Sequence, residues 1–205
     1  MTDERRARWI DQLRILVLDF ETTGFSPVHD RVIQIGATLL ERGEVAWRRS
    51  QLVNPGRPGG PKATAIHGIT DEMVANAPPF AQAGRLLFEG LDTKGLLIAG
   101  HNSAFDYRFM VAEVERHHVA ASWLVQPWYC TYALAKLLDG KRSFDKGYKL
   151  TDLARKYEIV VEGAAHDAEA DTHMTALVLC KLAERLPADP QEVLRMQQAW
   201  QSKNR

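Results

Sequence analysis

Leu16-Val17-Leu18-Asp19-Phe20-Glu21-Thr22-Thr23-Gly24 decides how the rest of the chain is read. With Ile15, its first half is apolar at every position. That is the pattern of a strand buried on both faces, and so central in its sheet. Two carboxylates, Asp19 and Glu21, then enter the strand. Residues two apart in a strand point the same way, so both acids project from one face at its end. Thr22-Thr23-Gly24 breaks the strand. Burying two like charges side by side is costly unless a cation or hydrogen bonds compensate. Oxygen-only ligands suit hard cations such as Mg2+ or Mn2+. Alone, such a pair reads better as a strand ending in solvated acids, so the reading turns on whether further acids arrive from elsewhere.

The chain has 205 residues, 45% of them hydrophobic, enough for one sizeable core and a single domain over 1–205. Lys plus Arg number 26 and Asp plus Glu also 26, so the net charge is zero. No bulk positive field can draw in a polyanion, and any nucleic-acid affinity must come from a local patch or a bound metal. Cys130 and Cys180 lie fifty residues apart with no C-x-x-C spacing, and read as reduced core thiols. No apolar run reaches membrane-spanning length, and the charged start, Met1-Thr-Asp-Glu-Arg-Arg, leads into no secretory segment. The chain reads as cytoplasmic, with no membrane partner.

Taken in order, residues 1–13 suggest a short leading helix, with Trp9, Ile10 and Leu13 at helical spacing. Strands are predicted at 14–20, 31–41 and 44–53, joined by short connections that imply an antiparallel meander. Residues 54–62, rich in Pro and Gly, read as a loop. Thr70 is a good N-cap for a short helix at 71–75, and Pro78-Pro79 opens another to about 90. A short buried strand at 96–99 runs into Gly100-His101-Asn102-Ser103, where Ser103 can cap a helix reaching about 118. One more short strand fits 128–130. Helices follow at 131–138, 149–157 and 168–186, with a polar loop over 139–148. The tail, 187–205, has room for a short helix. Strands first and helices later give an α/β chain: a mixed central sheet, antiparallel meander first and then parallel strands, flanked by α-helices.

Two later segments bring more acids. Asp106 falls in the first turn of a helix, where the dipole favours an anion. In His166-Asp167-Ala168-Glu169-Ala170-Asp171, Asp167 suits an N-cap, Asp171 lies inside the helix, and His166 precedes it in a loop. Asp19-x-Glu21, Asp106 in H-N-x-x-F-D, and His166-x-Ala168-x-x-Asp171, in this order, resemble the three motifs of the DEDD exonucleases. The histidine makes it the DnaQ-like, or DEDDh, branch, to which the proofreading epsilon subunit of DNA polymerase III and RNase T belong. Ile66-His67-Gly68-Ile69-Thr70, Cys130-Thr131 and Lys149-Leu150-Thr151-Asp152-Leu153 are similar to it as well. The resemblance spans about 13–186, leaving 187–205 as a short tail, and implies a ribonuclease H-like fold.

The resemblance also implies a chemistry, a metal-dependent 3′-to-5′ exonuclease releasing nucleoside 5′-monophosphates, in proofreading or repair. Two divalent cations, Mg2+ or Mn2+, typically about 3.5–4 Å apart, clamp the attacking and leaving oxygens. By the family pattern Asp19 bridges both, Glu21 and Asp171 support the one on the nucleophile side, and Asp106 acts partly through water. His166, with an ordinary pKa near ~6.5, takes the proton of the attacking water. Thr22, Thr23 and Gly24 are expected to hold the terminal 3′-hydroxyl. Phe25, Ile66, His67 and Ile69 would pack on or wedge the last bases, although Phe25 and Ile69 read nearly as well as core. Asn102 contacts substrate or fixes its turn. Lys141, Arg142, Lys146 and Lys149 form a basic loop suited to phosphates. The expected partner is a nucleic acid with a free 3′ end, DNA before RNA; a polymerase partner and a homodimer stay open. An exoribonuclease of the RNase T or oligoribonuclease kind shares these motifs. A non-catalytic nucleic-acid-binding module would share the fold, but has no need of four clustered acids.

Overall fold

The strand β1 (Arg14–Thr22) pairs antiparallel with β2 (Val32–Glu41), which pairs antiparallel with β3 (Glu44–Leu52). On its other side β1 pairs in parallel with β4 (Leu97–Gly100), which pairs in parallel with β5 (Tyr129–Cys130). The sheet order is β3-β2-β1-β4-β5, so β1 is central, as its unbroken apolar run requires. The structure, a computed structural model, describes residues 8–161 and 167–204. Arg42 and Gly43, both at positive φ (54° and 79°), form the two-residue turn that suits a right-twisted hairpin.

Side chains of β1 alternate between two cores. Ile15 and Val17 join Leu179 and Leu182 of α7 (Ala168–Ala183). Leu16, Leu18 and Phe20 join Phe80 of α3 (Phe80–Leu87) and Phe109 and Met110 of α4 (Ala104–Arg116). Asp19 and Glu21 continue the odd-numbered row, so they face the α7 side.

The remaining helices are α1 (Pro61–His67), α2 (Asp71–Val74), α5 (Thr131–Leu138), α6 (Leu150–Lys156) and α8 (Pro190–Lys203). Thr70 caps α2 by accepting from the Met73 N–H, and Asp167 caps α7 by accepting from the Glu169 N–H, as their types suggest. Ser103 differs. Its backbone is already helical (φ −55°, ψ −11°) and its side chain makes no capping bond. Residues 61–67 also differ, forming α1 in a stretch partly read as loop. Proline is tolerated at the first helical position, where its missing N–H has no partner to lose. In place of a leading α-helix there is a 3-10 turn over Trp9–Gln12, and Trp9 stacks on Tyr129 at 4.8 Å. Among the described residues no helix is long and apolar enough to cross a membrane.

The tail is the largest departure from expectation. α8 runs for 14 residues, capped by Asp189, whose carboxylate accepts from the Gln191 N–H at 2.9 Å. Val193 packs into the α7-side core. One turn on, Gln197 is buried and closes the end of the sheet. Its Oε1 accepts from the Cys130 N–H at 2.7 Å, and its Nε2 donates to the Trp128 carbonyl at 2.9 Å. A polar side chain one turn from a valine gives no sequence signal of this, because both of its partners lie over 60 residues away. Gln197→Leu strands a buried donor and acceptor, so stability should fall by about 2–4 kcal/mol. A urea melt checks this: the midpoint should drop with the slope unchanged, and a near-unchanged midpoint would mean that Gln197 does not seal β5.

Candidate active site

β1 and β4 are parallel, so their carboxyl ends open on one edge, while β2 runs the other way. Open α/β sheets bind ligands at such a place, because the chain leaving each strand turns aside there. A cleft of ≈ 590 Å³ occupies it, lined by Asp19, Glu21, Asn102, Asp106, Lys149 and Asp171 among others. One carboxylate oxygen each from Asp19, Glu21 and Asp171 lies within 4.8 Å of the other two.

The sheet supplies Asp19 and Glu21, and α7 supplies Asp171. Asp19 is paired across the sheet with Gly36, and the start of α7 rests on that glycine. A Cβ at position 36 would lie 2.1 Å from the Ala168 carbonyl oxygen. Glycine below and a fully buried alanine above therefore let backbone touch backbone. Thr38, two residues further along β2, donates its hydroxyl to Thr172 Oγ1 at 2.9 Å. Asp171 lies one turn into α7, its N–H bonded to the Asp167 carbonyl at 2.9 Å. Asp106 comes from the first turn of α4, and its Oδ1 accepts from the Phe20 N–H at 3.0 Å. That bond holds the helix start against the end of β1.

The grouping acts on ionisation. Burial, and then the charges of Asp106 and Asp171, push the Asp19 carboxyl well above the usual carboxylate range. Burial first, then Asp19, Asp171 and Asp167, push Glu21 up to about 8. Burial pushes Asp106 up to about 7, although the Phe20 N–H partly offsets it. Among the described residues, none of these three acids has an arginine or lysine ion-pair partner. A hard divalent cation fits this donor set. It would find carboxylate oxygens only, already close together, and its charge would reverse the repulsion that holds them protonated.

The other sequence-derived residues are spread around the cleft and beyond it. Thr22, Thr23 and Gly24 follow Glu21 directly, and all are drawn inward. Thr22 Oγ1 donates to the Gly24 carbonyl, and Thr23 Oγ1 accepts from the Arg31 N–H. A Cβ on Gly24 would meet the Asp30 carboxylate at 2.5 Å. Phe25 is largely exposed and sits edge-on to Phe105, a cleft residue, at 6.4 Å. Asn102 and Lys149 line the cleft, and Asn102 holds a left-handed backbone (φ 52°). Lys141, Arg142 and Lys146 are exposed on the loop leading to Lys149.

Ile66 and His67 end α1; Ile66 is exposed, and His67 Nδ1 accepts from the Ile69 N–H. Ile69 is buried against Ile33 and Val74. None of these three lines the cleft. His166 lies outside the described residues.

The cleft also contains His101, Phe105 and Tyr132, to which sequence reasoning assigned no role. His101 Nδ1 shares a hydrogen bond of 2.9 Å with Thr131 Oγ1. Burial lowers its pKa to about 4, so it is neutral at ordinary pH and serves as a wall, not as a charge. The signal for it was its place before Asn102 at a strand end.

A protein-family model described as Exonuclease matches residues 16–179. DNA polymerase III PolC-type of Streptococcus sanguinis is 32% identical over 173 residues, which are 83% of this chain and 11% of that protein. DNA polymerase III subunit epsilon-like protein of Rhodobacter capsulatus is 34% identical over 183 residues, 87% of this chain and 25% of that protein. The chain thus spans a quarter or less of these two relatives. The solved nuclease domain of 3′hExo, a DEDDh family member bound to rAMP, superposes with a TM-score of 0.71 at 18% identity, covering 82% of this chain and 90% of that one. The fold is the ribonuclease H-like one that the motifs imply.

Two outcomes follow from this geometry. Gly36→Ala forces the Ala168 backbone away, an overpacking typically worth about 1–3 kcal/mol. It should also weaken Mn2+ binding by calorimetric titration, although no ligand is altered. Full metal affinity would show that Asp171 does not depend on that contact. The second outcome is pH dependence without metal. Unfolded carboxyls lose their protons at ordinary values, 3.8 for Asp and 4.5 for Glu, whereas folded Asp106 and Glu21 keep theirs to about 7 and about 8. Folding therefore takes up protons between, and stability falls as pH rises across that window. Thermal melts in EDTA should drop from pH 5 to 8, Mg2+ or Mn2+ should restore them at pH 8, and Asp19→Asn should flatten the slope. A melt that rises with pH in EDTA would contradict the assignment.

Proposed function

The chain belongs to the DnaQ-like exonuclease family, and on that footing we propose that it is a metal-dependent 3′-to-5′ exonuclease acting on DNA, in proofreading or repair. One observation carries the reading: Asp19, Glu21 and Asp171 converge within 4.8 Å, with Asp106 on the same cleft, beside the turn Thr22-Thr23-Gly24. Two divalent cations, Mg2+ or Mn2+, held mainly by Asp19, Glu21 and Asp171, supply neutralisation for the attacking and leaving oxygens when bound. Asp19 feels the charges of both Asp106 and Asp171 and raises Glu21 in turn, so it would be a central ligand of the set. Asp106 anchors the β1 end through Phe20 and would add a further carboxylate to hold the cations. The backbone of Thr22, Thr23 and Gly24 receives the terminal 3′-hydroxyl, and Asn102 and Lys149 face the strand behind it. His166, in the motif position before α7, removes the proton of the attacking water. The product is a nucleoside 5′-monophosphate. The polymerase III names of the relatives support DNA over RNA, and a role beside a polymerase.

The test uses linear DNA and RNA with free or blocked 3′ ends, circular single strands, and added Mg2+, Mn2+ or chelator. Mononucleotides should appear from the free 3′ end only, with metal only, and faster from DNA. Cutting of circles, or activity in chelator, would sink the reading; faster RNA hydrolysis would move it to an exoribonuclease. Variants separate the roles in the same assay. Asp19→Ala should lose metal affinity and rate together. His166→Ala should keep metal and substrate affinity while the single-turnover rate falls by about 10²–10⁴-fold, as loss of a general base typically does. Equal loss of metal affinity in both would make His166 a ligand.

A further inference from the structure

The loop between α5 and α6 carries Phe144, whose side chain is 72% exposed. Its backbone is far from free. Lys136 of α5 is fully buried, and its ammonium donates to the carbonyls of Arg142 (3.1 Å), Ser143 (2.6 Å) and Asp145 (2.6 Å). Those carbonyls lie on both sides of Phe144. The same ammonium sits over the rings of Tyr132 at 4.4 Å and Tyr148 at 5.2 Å. The Tyr132 hydroxyl donates to the Ser143 carbonyl, and the Arg142 N–H donates to the Asp145 carboxylate. From α8, the Trp200 Nε1–H donates to the Lys141 carbonyl at 2.9 Å. The loop is therefore pinned around its tip while the one apolar ring at that tip faces water.

The surroundings of the ring are cationic. The Arg142 guanidinium lies 5.8 Å from its centroid, and Lys141 and Lys146 are exposed on the same loop. The one acid among them, Asp145, turns its carboxylate back onto the Arg142 N–H. An outward aromatic face rimmed by cations matches a base and its phosphates together. The loop also adjoins the cleft: Tyr132, which holds Ser143, and Lys149, at the far end of the loop, both line it.

We infer that Phe144 is a stacking platform for a base upstream of the 3′-terminal nucleotide, a second subsite that grips single-stranded nucleic acid as its end enters the cleft. This rests on the exonuclease reading. Preorganisation is what makes the ring effective, since a pinned loop loses little freedom on binding.

Three substrates separate the possibilities. The p-nitrophenyl ester of thymidine 5′-monophosphate has no upstream base and reads the terminal site alone. Single-stranded oligonucleotides of increasing length read the subsite, and a scan of single abasic positions locates it. Phe144→Ala should raise KM for oligonucleotides above a threshold length by about 5- to 150-fold, the range that loss of one base–aromatic stack implies. Phe144→Trp should retain wild-type KM. In the wild type one upstream abasic position should cost a similar factor, and that cost should vanish in Phe144→Ala. Unchanged KM at every length, an abasic cost that persists in Phe144→Ala, or an equal loss on the ester overturns the inference. If the wild type cleaves neither ester nor oligonucleotide, the exonuclease reading has failed instead. Fluorescence anisotropy with the same oligonucleotides then still decides: length-dependent affinity lost in Phe144→Ala supports the subsite, and unchanged affinity removes it.

Discussion

Several carboxylates are held close together, half-buried at the end of the sheet, and the rest of the structure is arranged to tolerate that. Left to themselves Asp19, Glu21 and Asp171 would separate, since each one's charge raises the cost of ionising the next. They stay together because each is attached to a rigid element anchored elsewhere. β1 is packed on both faces, so its end cannot drift. α7 is fixed to the sheet by the close Gly36–Ala168 approach and by the Thr38–Thr172 hydroxyl pair. The result is a site that favours a bound cation, and in which Asp19 and Glu21 without one hold their protons to higher pH than ordinary carboxyls.

The opposite wall is anchored by different means. α4 delivers Asp106, and its far end is tied down by a buried carboxylate. Glu113 pairs with Arg116 at 2.7 Å and His117 at 3.1 Å, and accepts from the Val32 N–H at 3.3 Å. A buried carboxylate is tolerated when its oxygens are paired and hydrogen-bonded in this way. The α4 helix is thus held at one end by Phe20 of β1 and at the other by the start of β2. The basic loop is organised in turn by the buried Lys136 ammonium and buttressed by α8 through Trp200. α8 also seals β5 through Gln197. The α8 helix therefore contributes both to the frame and to the loop beside the cleft.

What could be read from the sequence was whatever rests on short-range rules. A strand apolar on both faces is central, and residues 19 and 21 share a face, because the strand period is two. Thr70 and Asp167 cap because their side chains reach an N–H two or three residues on. Asp106 and Asp171 fall in first turns because the helices begin where the apolar periodicity begins. From these, and the order of the motifs, the mixed sheet and the acids of the cleft follow.

Tertiary structure alone decided which distant groups meet. Nothing local in Gly36 says that a helix start 132 residues later will rest on it. Gln197, Lys136 and Trp200 look like ordinary polar or amphipathic surface positions until their partners are placed. Ile69 and Phe25, alike in the sequence as core or substrate residues, were separated by packing: one is buried against Ile33, the other left in water beside Phe105. The physical reason is the same in each case. Local propensity acts through the backbone within about a turn, whereas burial, repulsion between acids and the satisfaction of buried donors are properties of the surrounding volume. That volume exists only once the chain has closed on itself.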